Sequence, residues 1–452
     1  MQPIRYLIIG NGAAGVTAAE TIRQHDSYGE ITIVSAEPYP MYSRPGLAYV
    51  FINEISQKQV FARKPEWYQQ MRLNLLFGTA VSLDVDRQEV RLEDGRILPY
   101  DRLLIATGAR AVPPPYPGAD LKGVHYLDTL DGTKALMKQS KRRRRAVVIG
   151  GGITALEMTE GLSHHGVDTH YFLRRNQLWG KVFNDAEAKI LEERMRHHGV
   201  TIHYNTEATE ILGDRRGRVR AVRLKNGEEF KCNIVGVAIG VRPLIDLVQN
   251  SPIKTDRAIL VDETMQSSVR NVYAAGDCAQ VYDSWTERHM LDILWPSAVA
   301  EGRAAALNMA GTTYKYEKGS PFNACLLFGL HITTMGQINP RNEDDADDPE
   351  ILQFLSRGSS EVWYTYPRHY ASAWSEEGAN TIRLVLDGDY LVGALIVGDQ
   401  SAADPLRYII ENRINFREIH SDFSIGGQAL KRSVQQFWAG LNQKQQPVIS
   451  SH

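Results

Sequence analysis

Residues 4–15 read IRYLIIGNGAAG, and the fold turns on them. An unbroken apolar run marks a strand buried on both faces, as in a parallel sheet. NGAAG then turns the chain, residues 14–24 carry helical spacing, and EITIVSAE (30–37) reads as the next strand. Gly10, Gly12 and Gly15 form G-x-G-x-x-G, with Ala14 inside it. Glycines there permit a tight turn and let backbone N–H groups at the positive end of a helix approach a pyrophosphate. Glu37 ends the second strand, 22 residues beyond Gly15. A carboxylate there accepts hydrogen bonds from the hydroxyls of an adenosine ribose. Strand, turn, helix and acid in this order predict a dinucleotide-binding unit.

The pattern returns 140 residues later. RAVVIG (145–150) is a strand, GGITALEMTEGL opens a helix, and DTHYFLRR (168–175) is a second strand. The second fingerprint is Gly150, Gly152 and Ala155, alanine being a permitted third member. The strand-end position that would hold a ribose-binding acid reads as Leu173, followed by Arg174 and Arg175. Arginine binds a 2′-phosphate through charge-assisted hydrogen bonds, whereas a carboxylate repels it. The site is expected to prefer NADPH to NADH. The alternative is that these arginines are a solvated strand end.

Between the two units, residues 92–118 read as a short hairpin, a buried strand and the stiff crossing AVPPPYPG (111–118). NIVGVAIGVRP (233–243) reads as a further buried strand, NVYAAGDCAQ (271–280) as strand then turn, and WPSAVAEGRAAALNMAG (295–311) as a long helix. Beyond about residue 320 the chain turns β-rich: TIRLVLDGDYLVGALIVG (381–398) is a hairpin, EVWYTY (361–366) a strand, and NEDDADD (342–348) a solvated loop.

The chain has 452 residues, 43% of them hydrophobic and 23% charged, with a formal net charge of −2. No global charge points to nucleic acid or an anionic membrane. Apolar runs reach about nine residues against the roughly 20 of a membrane span. MQPIRYLIIGNG does not read as a signal peptide. Three cysteines, Cys232, Cys278 and Cys325, lie far apart without CxxC. Neither a disulfide framework nor a metal site is expected, and a cytoplasmic location fits.

Five motifs in order, GNGAAG (10–15), ATGAR (106–110), GGGITALE (150–157), AIGVRP (238–243) and AAGDCA (274–279), give the sequence its resemblance to a family. It resembles the two-dinucleotide-binding-domain flavoproteins, or pyridine nucleotide–disulfide oxidoreductases. The resemblance implies an α/β fold with two Rossmann-like domains and a C-terminal α+β domain. It implies FAD at the first fingerprint and NAD(P)H at the second. The FAD-binding domain would comprise residues 1–115 and 244–320, the NAD(P)H-binding domain 116–243, and the C-terminal domain, a common dimer interface, 321–452. Thr107 and Gly108 match the chain crossing against FAD, and Gly240 lies in the corresponding motif. Gly276 and Asp277 match the turn whose aspartate bonds the ribityl chain. Pro296 opens the helix whose positive end faces the flavin pyrimidine. Glu157 matches an acid close to the nicotinamide, the alternative being a buried helix acid.

MYSRPGLAYV (41–50) narrows the branch. It lies over the stretch where coenzyme A-disulfide reductases and NADH oxidases of the family carry cysteine, and Pro45 stands in that place. No CxxxxC pair occurs nearby, so the thiol cycle is not expected. Tyr42, Arg44, Pro45 and Leu47 match the Y-x-R-P-x-L pattern of ferredoxin, rubredoxin and nitrite reductase flavoproteins. Arg44 is expected at the FAD phosphates or ring, or else in a surface ion pair. Ala48 and Tyr49 replace a frequent Ser-Lys, which weakens the assignment to ferredoxin reductase. Tyr49 would shield the flavin or pack in the core. The implied function is hydride transfer from NADPH to FAD, with electrons passed to a small redox carrier protein or small oxidant. The alternatives are an NAD(P)H oxidase or quinone reductase, and a redox-sensing interaction protein similar to apoptosis-inducing factor.

Other features favour bland readings. Lys141–Arg145 (KRRRR) is a solvated loop, or else docks an acidic carrier or steers NADPH. His164–His165 and His197–His198 cap helix ends without metal spacing. Trp363, Tyr364, Tyr366 and Trp374 read as core or interface rather than an electron path.

Overall fold

The computed structural model describes residues 2–180, 182–283, 287–338, 370–377, 380–419 and 427–445. The chain divides into two compact units. The first contains the residues up to Asn176 and His198–Lys318; the second contains Gln177–His197 and the described residues from Gly319 onward.

Two five-stranded parallel sheets organise the first unit. One has the order Val272–Ala274, Arg102–Ile105, Arg5–Ile9, Glu30–Ser35, Leu73–Phe77. The other has the order Thr201–His203, Asp168–Phe172, Arg145–Ile149, Ile234–Val237, Val124–His125. In each, the apolar strand that precedes a glycine fingerprint is central. All but the first residue of Arg5–Ile9 and of Arg145–Ile149 are buried, so no alternation of polar side chains is tolerated. Ile8, Ile33, Leu103, Leu104 and Ile105 have no exposed surface, each such burial contributing roughly 1.5–3 kcal/mol before ordering entropy.

Helix Ala13–His25 packs against helix Trp295–Met309 through small residues. A Cβ on Gly302 would stand 2.3 Å from the Ala14 carbonyl oxygen, so only glycine admits this approach. The run 233–243 is not one strand. Ile234–Val237 stays in the second sheet, the chain turns at Gly240 with φ +126°, and Val241–Pro243 pairs antiparallel with Ala109–Ala111. That two-stranded ribbon carries the chain out of one parallel sheet and back. The apolar run does not reveal this change of sheet, because it continues without a polar break from Ile234 to Val241, which are both buried.

The second unit is an antiparallel sheet of order Phe322–Leu327, Leu330–Gly336, Tyr390–Val397, Asn380–Asp387, Tyr370–Glu377, with helices Ala403–Glu411 and Gly427–Gln445. The expected hairpin at 381–398 is present, turning at Gly388 with φ +59°. Helix Asp185–His197 belongs to this unit, which the sequence did not suggest. Its buried Glu187 pairs with the buried Arg383 at 3.0 Å, and Arg383 also donates to the carbonyls of Val182 and Ile338. Breaking such a pair on one side leaves an uncompensated charge, at about 3–5 kcal/mol. The segments 342–348 and 361–366, with Trp363, Tyr364 and Tyr366, lie outside the described residues; Trp374 falls in strand Tyr370–Glu377.

Candidate cofactor sites

Both fingerprints form cradles of the same construction. Gly10 has φ +126°, and a Cβ there would meet the Ala106 carbonyl oxygen at 2.0 Å. Gly150 has φ +149°, and a Cβ there would meet the Ala238 carbonyl oxygen at 2.2 Å. Gly12 and Gly152 each stand at the N-cap of the following helix, and neither helix start carries a side-chain cap. The first N–H groups therefore keep their hydrogen-bonding capacity for an anion. At Gly12 nothing lies within 4 Å of the place a Cβ would take, so the approach is open. A Cβ at Gly15 would collide with the Gly10 carbonyl oxygen at 2.0 Å, whereas the second cradle accommodates Ala155 in that place. Backbone geometry of this kind fits a dinucleotide pyrophosphate at both positions.

The ribose seats differ. Ile9 lies opposite Val34 in the first sheet, and Ile149 opposite Phe172 in the second. Counting outward, Ser35 corresponds to Leu173 and Glu37 to Arg175. Ser35 and Leu173 are both buried, at 5% and 3% exposure, as equivalent positions should be. The assignment of Leu173 to the acid's position is thus corrected by two residues: an arginine occupies it. Arg174 and Arg175 are both exposed beyond the strand end.

Glu37 is held by two side chains from the segment 41–50. Arg44 donates to Oε1 at 2.5 Å, and the Tyr42 hydroxyl donates to Oε2 at 2.7 Å. Arg44 also donates to the Asp128 carbonyl at 2.6 Å, and Leu130 N–H donates to the Tyr42 oxygen at 3.2 Å. Arg44 is therefore in an ion pair with Glu37. Tyr42 matched the family pattern, but its partnership with Glu37, five residues away, was not anticipated, since it depends on how the irregular segment between them turns.

Gly276, at φ +77°, tucks the turn before Asp277 between the two packed helices: a Cβ there would stand 3.2 Å from that of Ala14 and 3.5 Å from that of Ala298. This brings half-buried Asp277, the first cradle and the start of the Pro296 helix together. The Gly276 N–H donates to Glu301 Oε2 at 2.7 Å. Burial pushes the Glu301 carboxyl well above the usual carboxylate range. Sequence reasoning missed Glu301, because an acid among alanines in a helix reads as a solvated face. Nearby, Ser297 donates to buried Asp292 at 2.7 Å, and buried Lys318 lies 3.7 Å from Asp292 and 3.9 Å from Asp283.

The Thr107 hydroxyl donates to the Leu244 carbonyl at 2.6 Å, and Leu244 N–H donates to the Gly108 carbonyl at 2.9 Å, fixing the chain crossing. Gly240, Gly152, Thr154, Ala111 and Leu127 line a crevice at the carboxyl ends of Arg145–Ile149 and Ile234–Val237. Doubly wound sheets take their ligands at such a point. Glu157 is half-buried in the second turn of helix Ile153–His164, and Tyr49 is half-buried in the short helix Gly46–Phe51.

Two of the three cysteines are buried where a thiolate is disfavoured. Cys278 is fully buried, with its sulfur 3.3 Å from the Ile105 carbonyl oxygen, and burial raises its thiol. Cys232 is 2% exposed and pushed up to about 12 by burial. Cys325 is half-buried in the second unit. Pro45 is exposed. Reactive cysteines need a stabilised thiolate, which burial opposes.

The run Lys141–Arg145 sits at the amino end of strand Arg145–Ile149, the edge opposite the crevice. At about 3.3 Å per residue this is roughly 15 Å from the fingerprint, so the run does not line the cradle itself. Arg145 is engaged by Asp168 at 2.6 Å. Among the described residues no group of His, Cys, Asp and Glu is arranged to hold a metal, and no helix is long and apolar enough to cross a membrane.

Comparison with known proteins shows the family. The sequence profile of the family described as pyridine nucleotide-disulphide oxidoreductase matches residues 4–302. The chain belongs to that family. It is 28% identical over 416 residues to a nitrite reductase [NAD(P)H] of Bacillus subtilis, covering 91% of this chain and 48% of the relative. It is 30% identical over 310 residues to a rubredoxin-NAD(+) reductase of Ectopseudomonas oleovorans, covering 68% of this chain and 80% of the relative. The chain spans about half the length of the first curated relatives it matches, 48% and 43%. Among solved structures, a covalent putidaredoxin reductase–putidaredoxin complex superposes with a TM-score of 0.82 at 22% identity, covering 96% of this chain and 99% of that one.

Proposed function

We propose that this chain is an FAD-dependent NADPH:acceptor oxidoreductase that passes electrons to a small redox carrier protein without a cysteine relay. The observation that carries the reading is the pair of equivalent seats after two like cradles: Glu37, held by Arg44 and Tyr42, and Arg175, exposed and cationic. The carboxylate suits the ribose hydroxyls of FAD, and the arginine suits the 2′-phosphate of NADPH.

When bound, the flavin accepts hydride from the nicotinamide and releases electrons one or two at a time. The chain's own residues do the rest by positioning. Gly10, Gly12, Gly15 and Ala14 receive the FAD pyrophosphate, and Asp277 the ribityl chain. Thr107 and Gly108 form the wall at the crossing. The helix opened by Pro296 presents its positive end to the charge that develops on reduction. Gly150, Gly152, Ala155 and Gly240 cradle the coenzyme, with Arg174 and Arg175 at its phosphate. Glu157 stands on the nicotinamide side, and Tyr49 covers the flavin. The division into domains at 1–115 with 244–320, 116–243 and 321–452 belongs to this reading, with Gln177–His197 packing with the C-terminal unit, as do dimerisation through the C-terminal unit and a cytoplasmic location.

A carrier protein as acceptor is supported by relatives whose names pair them with rubredoxin and putidaredoxin. The test is the oxidative half-reaction. Holoprotein is reduced anaerobically with NADPH and mixed in turn with a rubredoxin, a [2Fe–2S] ferredoxin, a quinone and oxygen. Faster reoxidation by one of the carrier proteins is expected. Reoxidation fastest with oxygen or quinone would refute the carrier assignment.

A further inference from the structure

The segment that holds Glu37 continues into the helix Gly46–Phe51, and its last residue packs on the helix that follows the other cradle. Phe51 is 0% exposed. Its ring lies on Gly161 of helix Ile153–His164, the helix that starts at the second cradle. A Cβ on Gly161 would meet the ring at 2.1 Å, so the glycine is a notch that fits the ring and no side chain of its own. Glycine is the poorest helix former after proline, and the notch gives a reason for one in mid-helix. His165, capping the same helix, donates from Nε2 to the Phe51 carbonyl at 2.7 Å and stacks on the ring at 5.4 Å. This satisfies a carbonyl left unpaired at the end of the short helix. Ring and carbonyl of one residue are thus gripped by two positions one helical turn apart.

We infer that Phe51, gripped by Gly161 and His165, is a positioning device that sets the spacing of the nicotinamide against the flavin. Hydride transfer falls steeply with small displacements of the reacting atoms. The short helix also carries Tyr49, and Arg44 just precedes it. The contact therefore links the FAD-side segment directly to the helix whose N-terminus would hold the coenzyme pyrophosphate. Phe51 touches neither cofactor site itself; it acts by keeping the two cradles in register. The inference rests on the proposed NADPH-to-FAD reaction.

The test compares Phe51→Ala, Gly161→Ala and the double variant as FAD-loaded protein. The readouts are FAD content, NADPH Kd, the rate of single-turnover flavin bleaching, and the long-wavelength charge-transfer absorbance of the reduced flavin with NADP+. Each single variant is expected to keep its FAD and to bind NADPH within about twofold of the parent. Bleaching should slow about tenfold or more, and the charge-transfer absorbance should weaken. Because the three atoms nearest the added methyl all belong to the ring, Gly161→Ala should have little further effect once Phe51 is alanine. If Phe51→Ala does not fold, Gly161→Ala with Phe51→Leu takes its place, and partial recovery of the rate over Gly161→Ala alone is expected. Unchanged bleaching and absorbance in holoprotein variants would overturn the inference, as would strictly additive effects. Failure of NADPH to bleach the parent protein would instead overturn the reaction on which it rests.

Discussion

The two parallel sheets of the first unit are built alike and differ at one seat. Each puts an apolar strand at its centre, ends it at a glycine position that only a Cβ-free residue can occupy, and opens a helix on an uncapped N-terminus. The phosphate cradle is thus made by backbone, and two quite different sequences produce it equally well. The ribose seat beyond the second strand is made by side chains. In one sheet a carboxylate is held by an arginine and a tyrosine; in the other an arginine stands in the same register. On the proposed reading, the backbone cradle takes a dinucleotide and the side chain in the seat selects which.

The strongest way to break this comparison is to fill each cradle in turn. Gly10→Ala should give protein without bound flavin, as judged by its absorbance. Gly150→Ala should stay yellow yet be bleached by NADPH at least about 100-fold more slowly, equivalent to about 2.7 kcal/mol. Loss of flavin from both would show that the cradles are not separate sites. Reversing the selecting charge comes next. Arg175→Glu should lower kcat/KM for NADPH about 100-fold and leave NADH within a few-fold, since charge-assisted hydrogen bonds contribute roughly 1.5–3 kcal/mol each. An equal loss for both coenzymes would remove Arg175 from the seat.

Legibility in the sequence differs between the cradles and the seats. The cradles are readable because each needs glycine at fixed spacing after an unbroken apolar run, and both requirements are local. The second seat lies two residues beyond its expected place, because it is defined by register across a parallel pair rather than by distance from a strand's apparent end. The Glu301 bond to Gly276 and the Phe51 notch in Gly161 join residues distant in sequence or hidden by an ordinary helical pattern, and the grip of Tyr42 on Glu37 depends on how the irregular segment between them turns. Helix Asp185–His197 continues the second βα pattern in sequence, and only the buried pair Glu187–Arg383 reveals that it belongs with the C-terminal sheet.

Smaller effects sharpen the contrast between backbone cradle and side-chain seat. Arg44 and Glu37 are 38% and 27% exposed at the side chain, so their pairing is partly screened. Arg44→Met should therefore weaken FAD binding only about five- to tenfold by equilibrium dialysis, about 1 kcal/mol. Loss of more than 100-fold would mean that Arg44 contacts the cofactor itself. The least effect concerns pH. Burial raises the Glu301 carboxyl well above its ordinary 4.5, so the fold favours the protonated form. Its contribution is complete below that ordinary value and is lost as pH rises through the raised one. Glu301→Gln keeps an acceptor for the Gly276 N–H and removes the titration. Between pH 5 and pH 8 the Tm of the parent should fall relative to the variant by about 1–3 °C. Parallel Tm profiles would contradict this.

The central claim is that electrons pass from NADPH to FAD and onward with no thiol between, because Cys232 and Cys278 are buried and Pro45 stands where the relay cysteine would be. An anaerobic titration of the FAD-loaded protein with NADPH tests it directly. One equivalent of NADPH per flavin should complete the bleaching, with no change in the number of titratable thiols. Consumption of a second equivalent, accompanied by new thiols, would reveal a hidden cysteine centre and contradict the claim.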